Sequence, residues 1–233
     1  MKFTIKLLFL GILLVNAAAF SMDRETSVAP VQQIAKLQGL PADIQKLILG
    51  ALVQSNSLDE ATKAISNLTK SKSSKFNALI NDAKTTENII KELARRFEAS
   101  EILVAAKLNI FGSQLWLSNK ILQNPKAGAD ELLKAIELHD AIAVKNLLKA
   151  GVNAKALKED KSSLDHSFMR ITSYYLSTKK ISEYDKVIFK ALVDAGAQFK
   201  FTNSSLLNNL RFAPHMPAIE KELGVAITQL LPR

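Results

Sequence analysis

The residues best suited to acid–base or metal chemistry are three histidines, and the sequence keeps them far apart. His139, His166 and His215 are the only histidines, and there is no cysteine. None of them has another histidine or a carboxylate at the short spacing that metal-binding motifs use. The most polar cluster, residues 137–140, falls at the predicted end of a helix, where such side chains are usually solvated. We therefore predict no metal site and no cofactor.

Motifs for covalent or phosphate chemistry are also missing from the sequence. There is no glycine-rich phosphate loop, no nucleophile elbow and no cysteine nucleophile. The acidic residues fall mostly at predicted helix starts, where capping and the helix dipole account for them. We predict that the protein is not an enzyme. A helical enzyme whose carboxylates meet only in space is the alternative that the sequence leaves open.

The composition favours helices over strands. Hydrophobic residues make up 48% of the chain and charged residues 23%, with few glycines and prolines. Leu, Ala and Lys lose little side-chain freedom in a helix, and alternating Val, Thr and Tyr runs are absent. The formal charge is +9, but the basic residues are dispersed rather than clustered as a nucleic-acid surface would require. These features predict an all-α protein that does not bind nucleic acid.

The first 19 residues have the pattern of a secretory signal peptide. Lys2 and Lys6 precede an apolar run over residues 7–15, and Ala17 and Ala19 match a small-x-small cleavage site. The run is shorter than the roughly 20 residues that span a bilayer. We predict cleavage and export to the periplasm or beyond. The alternative is an uncleaved anchor, the one case in which we expect membrane contact.

Helical patterns then continue along the chain in two parts. Residues 20–38 are predicted to be a flexible leader, and residues 39–124 a helical bundle. In this bundle Ser57 begins a capping box, Thr85 or Thr86 caps a later helix, and Ser100 caps another. Gly112 is predicted to interrupt the next helix. Residues 124–129, which contain a proline and a glycine, are the predicted domain boundary.

After residue 130 the pattern changes to pairs of short helices that end alike. Helices are predicted over 131–139 and 141–150, and a second pair ends near residue 195. Each pair is followed by a glycine where a left-handed C-cap is expected. The repeated segments resemble the second helix and turn of an ankyrin repeat. The residues that carry the resemblance are Ala135, Leu147, Leu148, Gly151, Leu192 and Gly196.

This resemblance implies a short, degenerate ankyrin-like helix-pair solenoid over residues 130–233. The usual Thr-Pro-Leu-His opening is missing. Gly151 and Gly196 are 45 positions apart, against about 33 for an ankyrin repeat, so we expect an insertion between residues 171 and 185. Segment 204–207 would open a truncated third repeat, and a single helix over 217–230 would cap the stack.

Insertions in repeat proteins often lie on the binding face. The candidate partner-binding residues of this one are Tyr174, Tyr175, Lys179 and Lys180. The alternatives are that the extra residues only lengthen a helix or form an open loop.

The first helical part resembles an F-box module more faintly. Leu40, Pro41 and Ile44 begin the matching segment, and the resemblance implies that they would dock a ubiquitin-ligase adaptor. An unrelated helical spacer is the alternative.

Together these features predict an exported scaffold that binds another protein through its repeat surface. The sharpest version is a secreted effector that binds a host protein. An envelope structural protein held at the membrane is the alternative from another class.

Overall fold

The computed structural model describes residues 57–70, 82–155, 157–158, 161–200 and 213–230. They fall into two compact units, one ending at Trp116 and the other beginning at Leu117. The first unit contains α1 (Leu58–Lys70), α2 (Ala83–Arg96), α3 (Glu101–Leu108) and the start of α4 (Phe111–Gln123). The second holds the rest of α4 and the later elements, namely α5 (Pro125–Glu137), α6 (Ala141–Lys149), β1 (Leu157–Lys158), β2 (Lys161–Ser162), α7 (Ser163–Thr178), α8 (Glu183–Asp194), a 3₁₀ turn (Ala213–His215), α9 (Met216–Leu223) and α10 (Ile227–Leu230).

The protein is all-α, as its composition predicts. The β1–β2 pair is a two-residue antiparallel ladder, with Leu157 opposite Ser162 and Lys158 opposite Lys161. Within the described ranges, no helix combines the length and the apolar character needed to cross a membrane.

The first unit is built around α3. Residues 103–106 of this helix are all buried, and both α1 and α2 pack against it. Burial on every side explains why α3 is apolar around its circumference, whereas α1 and α2 carry one apolar face each. The Ser66 hydroxyl donates to the carbonyl of Leu108, which ties α1 to the end of α3.

The helix starts of this unit correct one prediction. α2 is capped by Asp82, whose carboxylate accepts from the backbone N–H of Thr85 at 2.9 Å. Thr86 is buried inside the helix, so the predicted threonine cap is wrong. The predicted Ser100 cap is confirmed, because its side chain accepts from the N–H of Leu103.

The break before α4 also lies elsewhere than predicted. Gly112 is the second residue of α4, and the chain turns at Asn109, which has a φ of +47°. Asparagine tolerates this left-handed conformation because its short polar side chain can bond locally.

Four helices of the second unit form a closed set of contacts. α5 packs on α6 and α7, and α8 packs on the same two helices. These four helices therefore form two helix hairpins, α5–α6 and α7–α8, placed side by side. Three rings fill its centre: Phe168 lies 6.4 Å from Phe189 and 5.5 Å from Phe199, between centroids.

The two hairpins end in the same cap. Gly151 and Gly196 have φ values of +99° and +78°, the left-handed conformation that the sequence predicts. Each glycine N–H donates three residues back, to Leu148 and Val193, and the next N–H donates five residues back. This is the Schellman arrangement. Of the repeat-defining side chains, Ala135, Leu147 and Leu192 are fully buried and Leu148 is partly buried.

Three boundaries differ from the prediction. Asn124 caps α5, which begins at Pro125 directly after α4, so residues 124–129 form a helix start and not a linker. The extra residues of the second hairpin lengthen α7 to 16 residues, which is one of the alternatives stated above. The predicted helix over 217–230 is broken at Gly224, where φ is +66°.

Several predictions concern residues outside the described ranges. These are the signal peptide, the leader, the F-box-like segment with Leu40, Pro41 and Ile44, and the third repeat opening at 204–207.

Candidate functional site

The starts of α7 and α8 carry the same local motif, Ser-x-x-Asp. In α7, Ser162 is the N-cap and accepts from the N–H of Asp165 at 3.1 Å. Asp165 returns the bond by accepting from the N–H of Ser162 at 2.7 Å. Its oxygens also accept from the N–H of Lys200 at 3.2 Å. The carboxylate is 0% exposed, and these donors compensate its burial.

In α8 the same motif does not close. Ser182 is the N-cap and makes no side-chain cap bond. The carboxylate of Asp185 lies beside another helix hairpin, with Oδ1 at 3.0 Å from Nδ1 of His139. Asp185 is 2% exposed, and its Oδ2 has no hydrogen-bond partner in the described part of the chain. A buried carboxylate oxygen left without a donor is costly.

His139 lies in the turn between α5 and α6, in a conformation that few side chains adopt. Its φ is +57°. Its N–H donates to the carbonyl of Ile136 at 3.2 Å and the next N–H, of Asp140, donates to Ala135 at 2.9 Å. This is a further Schellman cap, with histidine where glycine is favoured. The turn therefore fixes the direction of the Cα–Cβ bond of His139, and the imidazole lies against Asp185.

Arg170 of α7 connects the turn to the buried carboxylate. Its Nη1 donates to the carbonyl of Glu137 at 2.7 Å. Its Nε donates to Nδ1 of His139 at 3.1 Å and lies 3.6 Å from Oδ1 of Asp185. Three side chains from the turn, α7 and α8 thus meet at one ring nitrogen. We call them the His139 cluster.

Other charges at the start of α8 are paired with one another. Lys186 lies 2.8 Å from Glu183 and 3.6 Å from Glu222. The hydrogen bond with Glu183 raises the pKa of Lys186 above its ordinary value. The ammonium group of Lys186 thus already has acidic neighbours outside the His139 cluster.

A shallow groove of about 250 Å³ lies beside the cluster. It is lined by Ile136, Glu137, His166, Met169, Arg170 and Ser173. Nε2 of His166 is buried and has no hydrogen-bond partner among the described residues. Met169 is exposed in the groove, and Leu138 and Ile142 are exposed on the neighbouring turn and helix start. The groove therefore combines apolar surface with an arginine and an unsatisfied imidazole, a mixture common in binding sites.

The predicted partner-binding residues differ in their exposure to solvent. Tyr174 is 44% exposed on α7, and Lys179 and Lys180 are exposed after it. Tyr175 is 8% exposed and its ring lies 5.9 Å from that of His215. Adjacent residues on a helix point in different directions, so the structure removes Tyr175 from the predicted surface.

The sequence analysis missed the His139 cluster because its members are distant along the chain. His139 and Asp185 are 46 positions apart and His139 and Arg170 are 31 apart. A signal did exist: the Ser-x-x-Asp motif occurs at both 162–165 and 182–185. Only the tertiary fold distinguishes the two copies. No group of three or more His, Cys, Asp or Glu side chains within the described ranges is arranged to hold a metal ion.

The chain was compared with protein-family models, curated proteins and solved structures. No family model matches the chain, and no curated protein or solved structure is significantly similar to it.

Proposed function

We propose that the protein is an exported scaffold that binds another protein through the groove between α5 and α7, without a chemical step. The observation that carries the proposal is the groove itself. Exposed Met169 lies there beside Arg170 and the unsatisfied His166. Apolar anchors next to directed polar groups are typical of the centre of protein interfaces.

The arrangement of the helices supports an ankyrin-like version of this proposal. Two helix hairpins lie side by side, each ends in a Schellman glycine, and the β1–β2 ladder precedes the second hairpin. In repeat proteins a rigid stack holds such side chains in place, so less conformational freedom is lost on binding. Tyr174, Lys179 and Lys180, on the last turn and exit of α7, would extend the binding surface.

The location that we propose for the protein depends on the sequence of its N-terminus. A cleaved signal peptide would carry the scaffold out of the cytoplasm, to the periplasm or beyond. Binding of a host protein by a secreted effector is the sharpest form of the proposal, and it depends on the family resemblance.

Site-specific cross-linking tests whether the groove is the binding surface. A photoreactive residue at position 169 should capture a partner, while one at position 190, which is exposed on α8 and does not line the groove, should not. Met169→Asp should then weaken the complex at least about tenfold, because losing an interface anchor commonly removes more than about 1.4 kcal/mol. Equal capture at both positions, or a complex that tolerates Met169→Asp, would exclude this surface.

A further inference from the structure

We propose that His139, Arg170 and Asp185 form a pH-sensitive latch that holds Arg170 against the α5–α6 turn at neutral pH and releases it on acidification. The inference concerns regulation of the same groove, so its biological meaning rests on the proposed function. The latch is a property of the free protein and can be measured without a partner.

One ring nitrogen of His139 lies within hydrogen-bond distance of both a donor and an acceptor. Nδ1 of His139 lies 3.1 Å from the Arg170 Nε, which is a donor, and 3.0 Å from the Asp185 Oδ1, which is an acceptor. A ring nitrogen either carries a hydrogen or presents a lone pair, and it cannot satisfy both neighbours. The cluster therefore has two possible hydrogen-bond arrangements.

In the first arrangement the imidazole is neutral. The Nε–H of Arg170 donates to Nδ1, and this arrangement requires the ring proton to be on Nε2. The Asp185 Oδ1 then faces a lone pair and receives its attraction from Arg170 at 3.6 Å. Its Oδ2 has no partner among the described groups. Asp185 is thus buried with less compensation than a carboxylate normally has.

Protonation of the His139 ring changes which neighbour Nδ1 can bond. Both nitrogens of an imidazolium ring are donors, so Nδ1 then donates to Asp185 in a charge-assisted bond. Arg170 loses its acceptor and faces a second positive charge at short distance. Two other contacts of Arg170 remain. The ion pair with Asp185 at 3.6 Å is weakened, because the carboxylate is now shared with the imidazolium, and the bond to the carbonyl of Glu137 at 2.7 Å holds the guanidinium close to that new positive charge. Imidazole side chains change charge between about pH 5 and 8, which sets the range of the switch.

Other titratable and charged groups surround the cluster. Glu137 and Asp140 adjoin His139 in the turn, and Asp140 is already the N-cap of α6. From α7 come Arg170 and, one turn earlier, His166. From α8 come Asp185 and the paired Glu183 and Lys186. His166 is the other imidazole that lines the groove and must be controlled for.

Release of Arg170 would alter the groove, because Arg170 is one of its lining residues. At neutral pH the guanidinium is held by the turn. In acid the guanidinium can bind a ligand in the groove, and the position that it occupied beside the α5–α6 turn becomes accessible. The same surface would thus present different chemistry in neutral and acidic compartments.

NMR of the intact chain tests the latch directly. Between about pH 8 and 5, the ring of His139 should change from the Nε2–H tautomer to the imidazolium. The Nε–H signal of Arg170 should lose its protection from solvent exchange with the same midpoint. An Arg170 signal that stays protected while His139 titrates would overturn the proposal, as would an Nδ1–H tautomer at the upper end.

A fluorescent label separates the latch from general effects of acid. Because the chain has no cysteine, Ser173→Cys places a single solvent-sensitive dye in the groove, and Ser177→Cys provides a control outside it. Emission should change with pH at position 173 and not at position 177. His139→Asn should abolish the change, since asparagine tolerates positive φ and has no titrating group. His166→Asn should leave the change in place.

Persistence of the emission change in His139→Asn would refute the latch. Neither measurement uses a binding partner, so failure of the cross-linking experiment and failure of the latch are distinguishable outcomes.

Discussion

The starts of α7 and α8 are two copies of one motif with opposite outcomes. At α7 the aspartate closes a capping box, and the N–H groups of Ser162 and Lys200 donate to it. At α8 the aspartate leaves its own helix start and reaches His139, while Ser182 caps nothing with its side chain. A missing cap costs about 1 kcal/mol, so the second arrangement is locally unfavourable.

The second unit thus contains one buried carboxylate that is satisfied and one that is not. Asp165 is buried and satisfied, which is what a structural carboxylate requires. Asp185 is buried with an oxygen that no described residue satisfies, and it contacts a histidine held at positive φ. Unfavourable local arrangements are retained where the surroundings impose them, and they are concentrated at functional sites.

Removing the satisfied carboxylate should have the largest effect. Asp165→Ala leaves the buried N–H of Ser162 and the partly buried N–H of Lys200 without the carboxylate that accepts from them, and an unsatisfied buried donor costs about 1–3 kcal/mol. We expect the free energy of unfolding to fall by about 2 kcal/mol or more, measured by urea denaturation. Asp165→Asn retains one acceptor oxygen and should lose less.

Removing the unsatisfied carboxylate should have a smaller effect. Asp185→Asn removes the desolvation cost of a poorly compensated buried charge. Its former partners His139 and Arg170 are partly exposed, with 38% and 29% of their side-chain surface accessible, so water can solvate them. We expect the unfolding free energy to change by less than about 1 kcal/mol, in the same urea assay as Asp165→Ala. If Asp185→Asn proved as destabilising as Asp165→Ala, the functional reading of Asp185 would be wrong.

Protonation of the exposed Asp82 should have the smallest effect, and it should be confined to the start of α2. Its hydrogen bond from the Thr85 N–H lowers its pKa below the ordinary value of 3.8. A lowered carboxyl pKa means that the cap stabilises α2 at neutral pH and loses this stabilisation as pH falls through the folded-state pKa. The amide NMR shift of Thr85 should therefore titrate with a midpoint below pH 3.8.

Asp82→Asn is the matched control for this titration, because asparagine caps equally well and carries no charge. The amide of Thr85 should not titrate in that variant. A midpoint at or above 3.8 in the unsubstituted chain would show that the cap bond contributes nothing.

Much of the fold follows from local patterns in the sequence. The all-α class, the Ser100 cap and the glycine caps at 151 and 196 depend on residues within a few positions of one another. The prediction was wrong where two local candidates competed: Asp82 precedes Thr85 and Thr86 with an equally good capping group. Pro125 ended no domain, since proline is also favoured in the first turn of a helix.

The candidate site could not be predicted in the same way. Its geometry depends on which helix hairpin packs on which, and three residues from separate elements meet at one nitrogen. The sequence placed the binding surface at Tyr174, Tyr175, Lys179 and Lys180. The structure buries Tyr175 and adds a groove around Met169 and Arg170 that no local pattern marked.

The backbone of the α5–α6 turn has a consequence for the variation that position 139 can tolerate. A φ of +57° favours glycine and asparagine and disfavours β-branched residues. Glycine or asparagine at position 139 would therefore preserve the fold. Only histidine would also place a titrating ring against Asp185. Among related chains, a histidine kept at this position would mark selection for the ring, because the fold alone favours a different residue.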